Sequence, residues 1–202
     1  MKQIIEIEIP IAGNQMPVIG QPSADQEMEI FHSEKISKIK LSDYQGQWLI
    51  LFFYPADFTF VCPTELKELA EFYEAFKKEG AEIMSVSTDT VYSHKAWHDT
   101  SESIKKIKFP MAADPTGQIS KAFGVYIDGV GLARRGTFLI DPQGILRALE
   151  IHDNSIGRSA AEFLRKLQAA KFVAEHGGEV CPAGWHPGSQ SLKPGFNLIG
   201  KL

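Results

Sequence analysis

Cysteine is scarce in this chain: there are two among 202 residues, at positions 62 and 181. That count excludes a scaffold stapled by several disulfides, and the lack of any C-x-x-C pair removes the usual anchor of a tetrahedral zinc site. Six histidines are scattered along the sequence. His94 and His98 stand at helical i,i+4 spacing, but without the glutamate of an H-E-x-x-H motif they read as surface or packing residues. Positive charge is also short: 21 Lys and Arg against 25 Asp and Glu leave a net charge of −4, which argues against a nucleic-acid face. The one basic cluster, Lys105-Lys106-Ile107-Lys108, is a small footprint of the kind a solvated helix end carries. No apolar run approaches the roughly 20 residues that a bilayer crossing needs. The first residues show no leader pattern either; Ile5, Glu6, Ile7, Glu8 and Ile9 alternate as a half-exposed strand does. These absences predict a cytoplasmic protein with no metal, no cofactor, no nucleic acid and no membrane. In that compartment two distant thiols are a redox pair sooner than a structural staple.

What is present is a globular composition, 44% hydrophobic and 23% charged, in a length that fits one domain with a substantial core. Residues 48–54 form an unbroken apolar and aromatic run, the pattern of a strand buried on both faces of a parallel sheet. Pro55 ends it. From Pro63 onward Leu66, Leu69, Ala70, Tyr73 and Phe76 recur at helical spacing, with Glu65 near the start, Lys77 and Lys78 near the end and Gly80 as the stop. Cys62 therefore falls at or in the first turn of a helix that follows a strand. Unpaired N–H groups in a first turn, with an arginine nearby, favour the thiolate, which is the nucleophilic form. The rival reading is a small buried hydrophobe. Thr59 stands three residues before Cys62, where a thioredoxin-like C-x-x-C would have its other cysteine. No disulfide can close there, which favours attack on an outside electrophile over dithiol exchange.

Along the chain, residues 12–25 read as loop and 36–41 as a short edge strand, followed by a turn at 42–46. Residues 81–87 predict a second parallel strand, with Thr88-Asp89 as the cap of a helix that carries Ser93 to His98, a β-α-β unit. A short strand at 109–113, a turn at 114–117, one or two helical turns at 118–123 and a strand at 125–127 come next. Strands at 137–140 and 145–151 flank Asp141-Pro142-Gln143-Gly144, a hairpin signal. The stretch 159–176 is an amphipathic helix with Phe163, Leu164, Leu167, Ala170, Val173 and Ala174 on one stripe, stopped by Gly177-Gly178. The order predicts a thioredoxin-like α/β domain at 1–178, including an N-terminal extension, and a C-terminal arm at 179–202.

The sequence resembles a known family at this point. Phe53-Tyr54-Pro55-Ala56-Asp57-Phe58-Thr59-Phe60-Val61-Cys62-Pro63-Thr64-Glu65 is similar to the active-site signature of typical 2-Cys peroxiredoxins, and Glu179-Val180-Cys181-Pro182-Ala183-Gly184-Trp185 to their resolving-cysteine motif. The likeness extends through Ser87-Thr88-Asp89, Ser93-His94-Lys95-Ala96-Trp97, Arg135-Gly136-Thr137-Phe138 and Gly157-Arg158, and the ending Asn197 to Leu202 is similar to the bacterial alkyl hydroperoxide reductase C subfamily. The resemblance implies a peroxiredoxin-type fold and a thiol peroxidase that reduces hydrogen peroxide and alkyl hydroperoxides. Cys62 would attack the peroxide and become a sulfenic acid. Pro55 would shield the site, Thr59 would hydrogen-bond peroxide and thiolate, and Arg135 would stabilise the charge on sulfur and oxygen, with Arg134 beside it as the alternative. Glu65 and Arg158 would orient that arginine, although Glu65 also suits a helix start. Trp97 reads as core or subunit interface. Cys181 would resolve the sulfenic acid from the arm of a partner subunit, leaving a disulfide for a flavoprotein disulfide reductase or thioredoxin.

A homodimer that assembles into a decamer is implied as well. Relatives prone to overoxidation carry a Gly-Gly-Leu-Gly insertion after the tryptophan helix and a C-terminal Tyr-Phe pair. Both are lacking here, which implies fast disulfide formation and resistance to sulfinic acid. A redox-switched chaperone or peroxide sensor would begin from the same cysteine, but the set Thr59, Cys62, Arg135 and Cys181 favours turnover. A general disulfide oxidoreductase is opposed by the missing cysteine at 59.

Overall fold

The apolar run of the sequence becomes the centre of a seven-stranded sheet. The computed structural model describes residues 16–201, so the expected strand at 5–9 lies outside the described residues. In chain order the elements are β1 (Glu27–His32), β2 (Lys35–Lys40), β3 (Trp48–Phe53), α1 (Cys62–Lys78), β4 (Ala81–Ser87), α2 (Val91–Thr100), β5 (Met111–Ala113), α3 (Gln118–Ala122), β6 (Tyr126–Ile127), β7 (Leu132–Ala133), β8 (Arg135–Ile140), β9 (Leu146–His152) and α4 (Ala160–Glu175). The main sheet has the order β2-β1-β5-β4-β3-β8-β9, and β6 and β7 pair by themselves. A mixed sheet covered by helices is the thioredoxin-like α/β architecture that the sequence predicts.

Every residue of β3 is buried. Successive strand side chains point to opposite faces. Ile50 and Phe52 thus pack with Leu66, Leu69, Phe76, Phe163 and Leu167 of α1 and α4, whereas Leu49, Leu51 and Phe53 pack with Val86, Phe123 and Phe138 on the other face. Strand β3 runs parallel to β4, as the predicted β-α-β unit requires, and antiparallel to β8. The antiparallel register Phe52↔Thr137 carries the start of β8 to the end of the sheet where β3 finishes and α1 begins. Arg135 thereby arrives beside Cys62 although 73 residues separate them.

Three local features depart from the sequence reading. Strand β1, at 27–32, was not foreseen, because its hairpin turns at Ser33-Glu34, both at positive φ (50° and 60°), without the Asn-Gly or Asp-Gly that normally signals such a turn. The cap of α2 is Thr90, whose hydroxyl accepts from Ser93 N–H, and not Thr88-Asp89. The arm does not trail free: Val180 and Leu192 form a two-bond bridge, and Trp185 is buried. Among the described residues no helix is long and apolar enough to cross a membrane.

Candidate active site

Cys62 is the first residue of α1. Pro63 has no N–H, and the N–H groups of Thr64 and Glu65 donate to the Val61 carbonyl at 3.0 and 3.2 Å. The donation to sulfur comes from Arg135: its Nη1 lies 3.4 Å from Cys62 Sγ. The same nitrogen donates to Glu65 Oε2 at 2.5 Å, and Nε and Nη2 donate to the Asn154 carbonyl at 2.9 and 2.8 Å. Arg135 is therefore held on three sides. Arg134, its neighbour, is exposed.

Glu65, one helical turn from Cys62, is shared with a second arginine. Its Oε1 accepts from Arg158 Nε and from Arg158 N–H, both at 2.9 Å, and its Oε2 from Arg158 Nη2 at 3.3 Å. Arg158 Nη1 reaches the Gly136 carbonyl at 2.9 Å and Thr137 Oγ1 at 3.0 Å, and its guanidinium lies 3.4 Å from the centre of the Phe52 ring. Burial pulls Arg158 below its ordinary value, and the Glu65 carboxylate opposes that shift. Cys62, Glu65, Arg135 and Arg158 are all buried. Two guanidiniums share one carboxylate here, since nearby Glu150 is taken by Lys166 at 2.5 Å. The buried cluster therefore sets two guanidiniums against one carboxylate, and the Cys62 sulfur lies beside Arg135.

The loop between β3 and α1 leads directly into Cys62. Pro55 is buried, and Thr59 Oγ1 donates to the Ala56 carbonyl at 2.9 Å, which leaves the oxygen lone pairs of Thr59 to accept. Phe58 takes a positive φ of 54° and sets its ring 5.8 Å from that of Trp97, which is buried in the core. Cys62 has 0% exposure.

The sequence reading missed the network that anchors this loop from beneath. Asp57 accepts from Tyr54 OH at 2.7 Å and stands 2.8 Å from His94 Nδ1, while its own N–H donates to Asp89 Oδ2 at 2.8 Å. His94 is wholly buried, with Nε2 3.1 Å from the Ala112 carbonyl, so of the two expected roles packing holds and a surface one does not. The signal was present in Asp57, the one charged side chain between Phe53 and Cys62. Burial, with the Asp57 carboxylate adding to it, raises the Tyr54 hydroxyl well above its ordinary value, so it serves as a donor. The Asn154 carbonyl was also missed, and a backbone oxygen leaves no mark in a sequence.

Cys181 is not part of the cluster. Both thiols are free, and Cys181 Sγ lies against α4, 3.8 Å from the Ala169 carbonyl. Among the described residues one grouping has metal-ligand atoms close together, Glu34, His98 and Asp99. Lys95 Nζ already stands 3.3 Å from Glu34 and 2.7 Å from Asp99.

A thioredoxin-like sheet that sets one helix-start cysteine against an arginine–glutamate–arginine cluster defines a thiol peroxidase of the peroxiredoxin class. Residues 19–149 match the model of the AhpC/TSA family, and residues 169–199 that of the C-terminal domain of 1-Cys peroxiredoxin. The chain is 49% identical over 174 residues to alkyl hydroperoxide reductase C of Salmonella typhimurium (86% of this chain, 93% of the relative). It is 47% identical over 187 residues to that of Pseudomonas aeruginosa (93% and 100%). Among solved structures it is similar to Enterococcus faecalis AhpC, with a TM-score of 0.80 and 47% identity over 83% of this chain and 100% of that one. Reduced Plasmodium vivax 2-Cys peroxiredoxin gives a TM-score of 0.84 and 34% identity over 88% and 93%. The chain belongs to the AhpC/TSA family.

Proposed function

We propose that the protein reduces hydrogen peroxide and alkyl hydroperoxides through Cys62, as an antioxidant defence, and that residues 1–178 are its peroxidase domain and 179–202 its resolving arm. The observation that carries this reading is the donation from Arg135 to Cys62 Sγ inside a buried cluster of two guanidiniums and one carboxylate. The thiolate attacks the terminal peroxide oxygen; the S–O bond forms, the O–O bond breaks, and the departing oxygen takes a proton to leave as water or alcohol. Arg135 stabilises the charge as it moves from sulfur to the departing oxygen. Thr59, its proton committed to Ala56, accepts from the peroxide O–H and aligns it. Glu65 and Arg158 hold Arg135 in place, and buried Pro55 keeps water from the sulfur.

The second half of the cycle needs a partner. Cys181 of a second subunit attacks the sulfenic sulfur, the S–S bond forms and the oxygen leaves as water. A dithiol reductant, a flavoprotein disulfide reductase or thioredoxin, then restores both thiols in the cytoplasm. The working form is a homodimer that assembles into a decamer. With its sulfur closed off, the site opens at 55–60 to admit peroxide and opens wider for resolution.

Non-reducing electrophoresis after one equivalent of peroxide tests the whole scheme. Wild type runs as a disulfide-linked dimer, whereas Cys62→Ser and Cys181→Ser run as monomers. A covalent dimer in either variant, or none in wild type, would refute the assignment.

A further inference from the structure

Arg135 is held by two different kinds of acceptor. On one side the Glu65 carboxylate takes Nη1, and on the other a single backbone oxygen, that of Asn154, takes Nε at 2.9 Å and Nη2 at 2.8 Å. The difference matters for the sulfur 3.4 Å from Nη1. A second carboxylate would fix the guanidinium by neutralising it, whereas a carbonyl dipole fixes it without adding a negative charge. The Asn154 carbonyl must itself be fixed, because it lies just beyond the end of β9, whose last residue, His152, pairs with Arg135.

Residues 153–156 form a turn that does this. Ile156 N–H donates to the Asp153 carbonyl at 2.9 Å and closes it. The Asp153 side chain braces it from within: Oδ1 accepts from Ser155 N–H at 2.9 Å and from the Ser155 hydroxyl at 2.6 Å. An aspartate bonded to the backbone two residues on is a standard lock for such a turn. The Ser155 hydroxyl, then the Ser155 N–H, hold the Asp153 carboxyl below its ordinary value, and Arg134 and Arg135 add to that shift. Asn154 stands inside the turn, its Nδ2 3.4 Å from the Ala133 carbonyl. Past the turn the chain is back at the cluster: a Cβ on Gly157 would stand 3.5 Å from Val61 Cγ1, and Arg158 N–H donates to Glu65 Oε1 at 2.9 Å.

Resting on the assignment of Arg135 as the group that stabilises the transferring charge, we propose that Asp153 is a positioning residue of the peroxide step: its carboxylate locks the 153–156 turn, and the turn presents the Asn154 carbonyl that aims Arg135 at Cys62. Asp153 is exposed and acts only through the turn. Without the lock the carbonyl loses its fixed place, Arg158 repels Arg135 across the Glu65 they share, and Nη1 spends less time at the sulfur.

Asp153→Ala removes the lock, and Asp153→Asn keeps its acceptor oxygen. Both are made in a Cys181→Ser parent, where Cys62 is the only thiol. The pH profile of alkylation by iodoacetamide reads the thiolate, and stopped-flow consumption of one equivalent of hydrogen peroxide reads the peroxide step. In Asp153→Ala the alkylation midpoint should rise by about half a pH unit and the peroxide step should slow about 3- to 10-fold, the worth of one hydrogen bond. Asp153→Asn should bring both back to within about 2-fold of the parent, since its amide oxygen still accepts from Ser155. Thermal melting separates positioning from support: a merely structural role would lower the melting temperature of Asp153→Ala and leave the alkylation midpoint where it was. An unmoved midpoint in Asp153→Ala, or an asparagine variant as impaired as the alanine one, overturns the positioning role while Arg135 keeps its own. If Arg135→Met in the same parent alkylates and consumes peroxide as the parent does, the assignment of Arg135 has failed instead, and Asp153 has nothing to position.

Discussion

Arg135 and Glu65 meet at 2.5 Å across the first turn of α1, and the arginine nitrogen that makes this contact, Nη1, is the one that also donates to Cys62 sulfur. The carboxylate thus decides where the guanidinium stands. Both groups are buried, and among the described residues Glu65 is the only carboxylate in ion-pair contact with Arg158 as well.

Glu65→Gln should therefore be costly in stability before it is costly in chemistry. Removing one partner of a buried ionic cluster typically costs about 3–5 kcal/mol. Urea unfolding should show a midpoint lowered accordingly, and a change of less than about 1 kcal/mol would mean that the cluster tolerates the loss.

Arg135→Met should leave Cys62 in place and take away the group that stabilises the transferring charge. The loss in kcat/KM for hydrogen peroxide should be about 100- to 1,000-fold. Arg135→Lys should recover little of it, because one ammonium lacks the planar fork that serves Asn154, Glu65 and the sulfur together. Stopped-flow consumption of peroxide reads both variants.

Thr59→Val keeps the shape and removes the oxygen. Its peroxide step should slow by about 10- to 100-fold, the worth of one hydrogen bond in a charged site. Thr59→Ser, which retains the hydroxyl, should stay within a few-fold of wild type. Equal rates in the valine and serine variants would remove Thr59 from the peroxide site.

Asp57→Ala takes away the carboxylate that serves both Tyr54 OH and His94 Nδ1 and leaves them only their own contact of 3.5 Å beneath the loop. Losing one partner of a buried hydrogen bond costs about 1–3 kcal/mol. The melting temperature should fall, and amide hydrogen exchange at 55–60 should quicken more than in β4. Uniform quickening would show that the network supports the whole domain and not the loop.

Glu79 gives the sign of one pH effect. Hydrogen bonds from Lys171, then Gln168, hold its carboxyl below the ordinary value, and the pair ties the end of α1 to α4. A depressed folded value means stability that is complete above the ordinary carboxylate range and is lost as pH falls through the lower folded value. Wild type should melt above Glu79→Gln near neutrality, and the gap should close in acid. A gap that persists at low pH would refute the assignment.

The parts of the fold that show in the sequence are those whose local chemistry agrees with the final structure. Residues 48–53 are apolar throughout because β3 is covered on both faces, and Pro63, Glu65 and Gly80 mark α1 because backbone geometry asks for them there. Strand β1 was hidden by a turn whose positive φ falls on Ser33 and Glu34. The site is legible in a different way. Cys62 and Glu65 stand out by their place at a helix start, whereas Arg135 and Arg158 were named by resemblance, since only the β3–β8 register brings Arg135 to Cys62. His94 and His98 read as a pair, yet one faces Asp57 in the core and the other lies against Phe31 with Nε2 3.4 Å from the Ile107 carbonyl. Helical spacing gives a shared side, not a shared partner.

The sulfur and its guanidinium come from chain segments 73 residues apart and meet only once β8 has closed against β3. A polypeptide still leaving the ribosome, with residue 62 already emerged and residue 135 not yet made, has no guanidinium beside its sulfur. On the proposed function, the peroxide step waits until the sheet is complete, and the speed of a subunit's reaction with peroxide doubles as a report that it has matured.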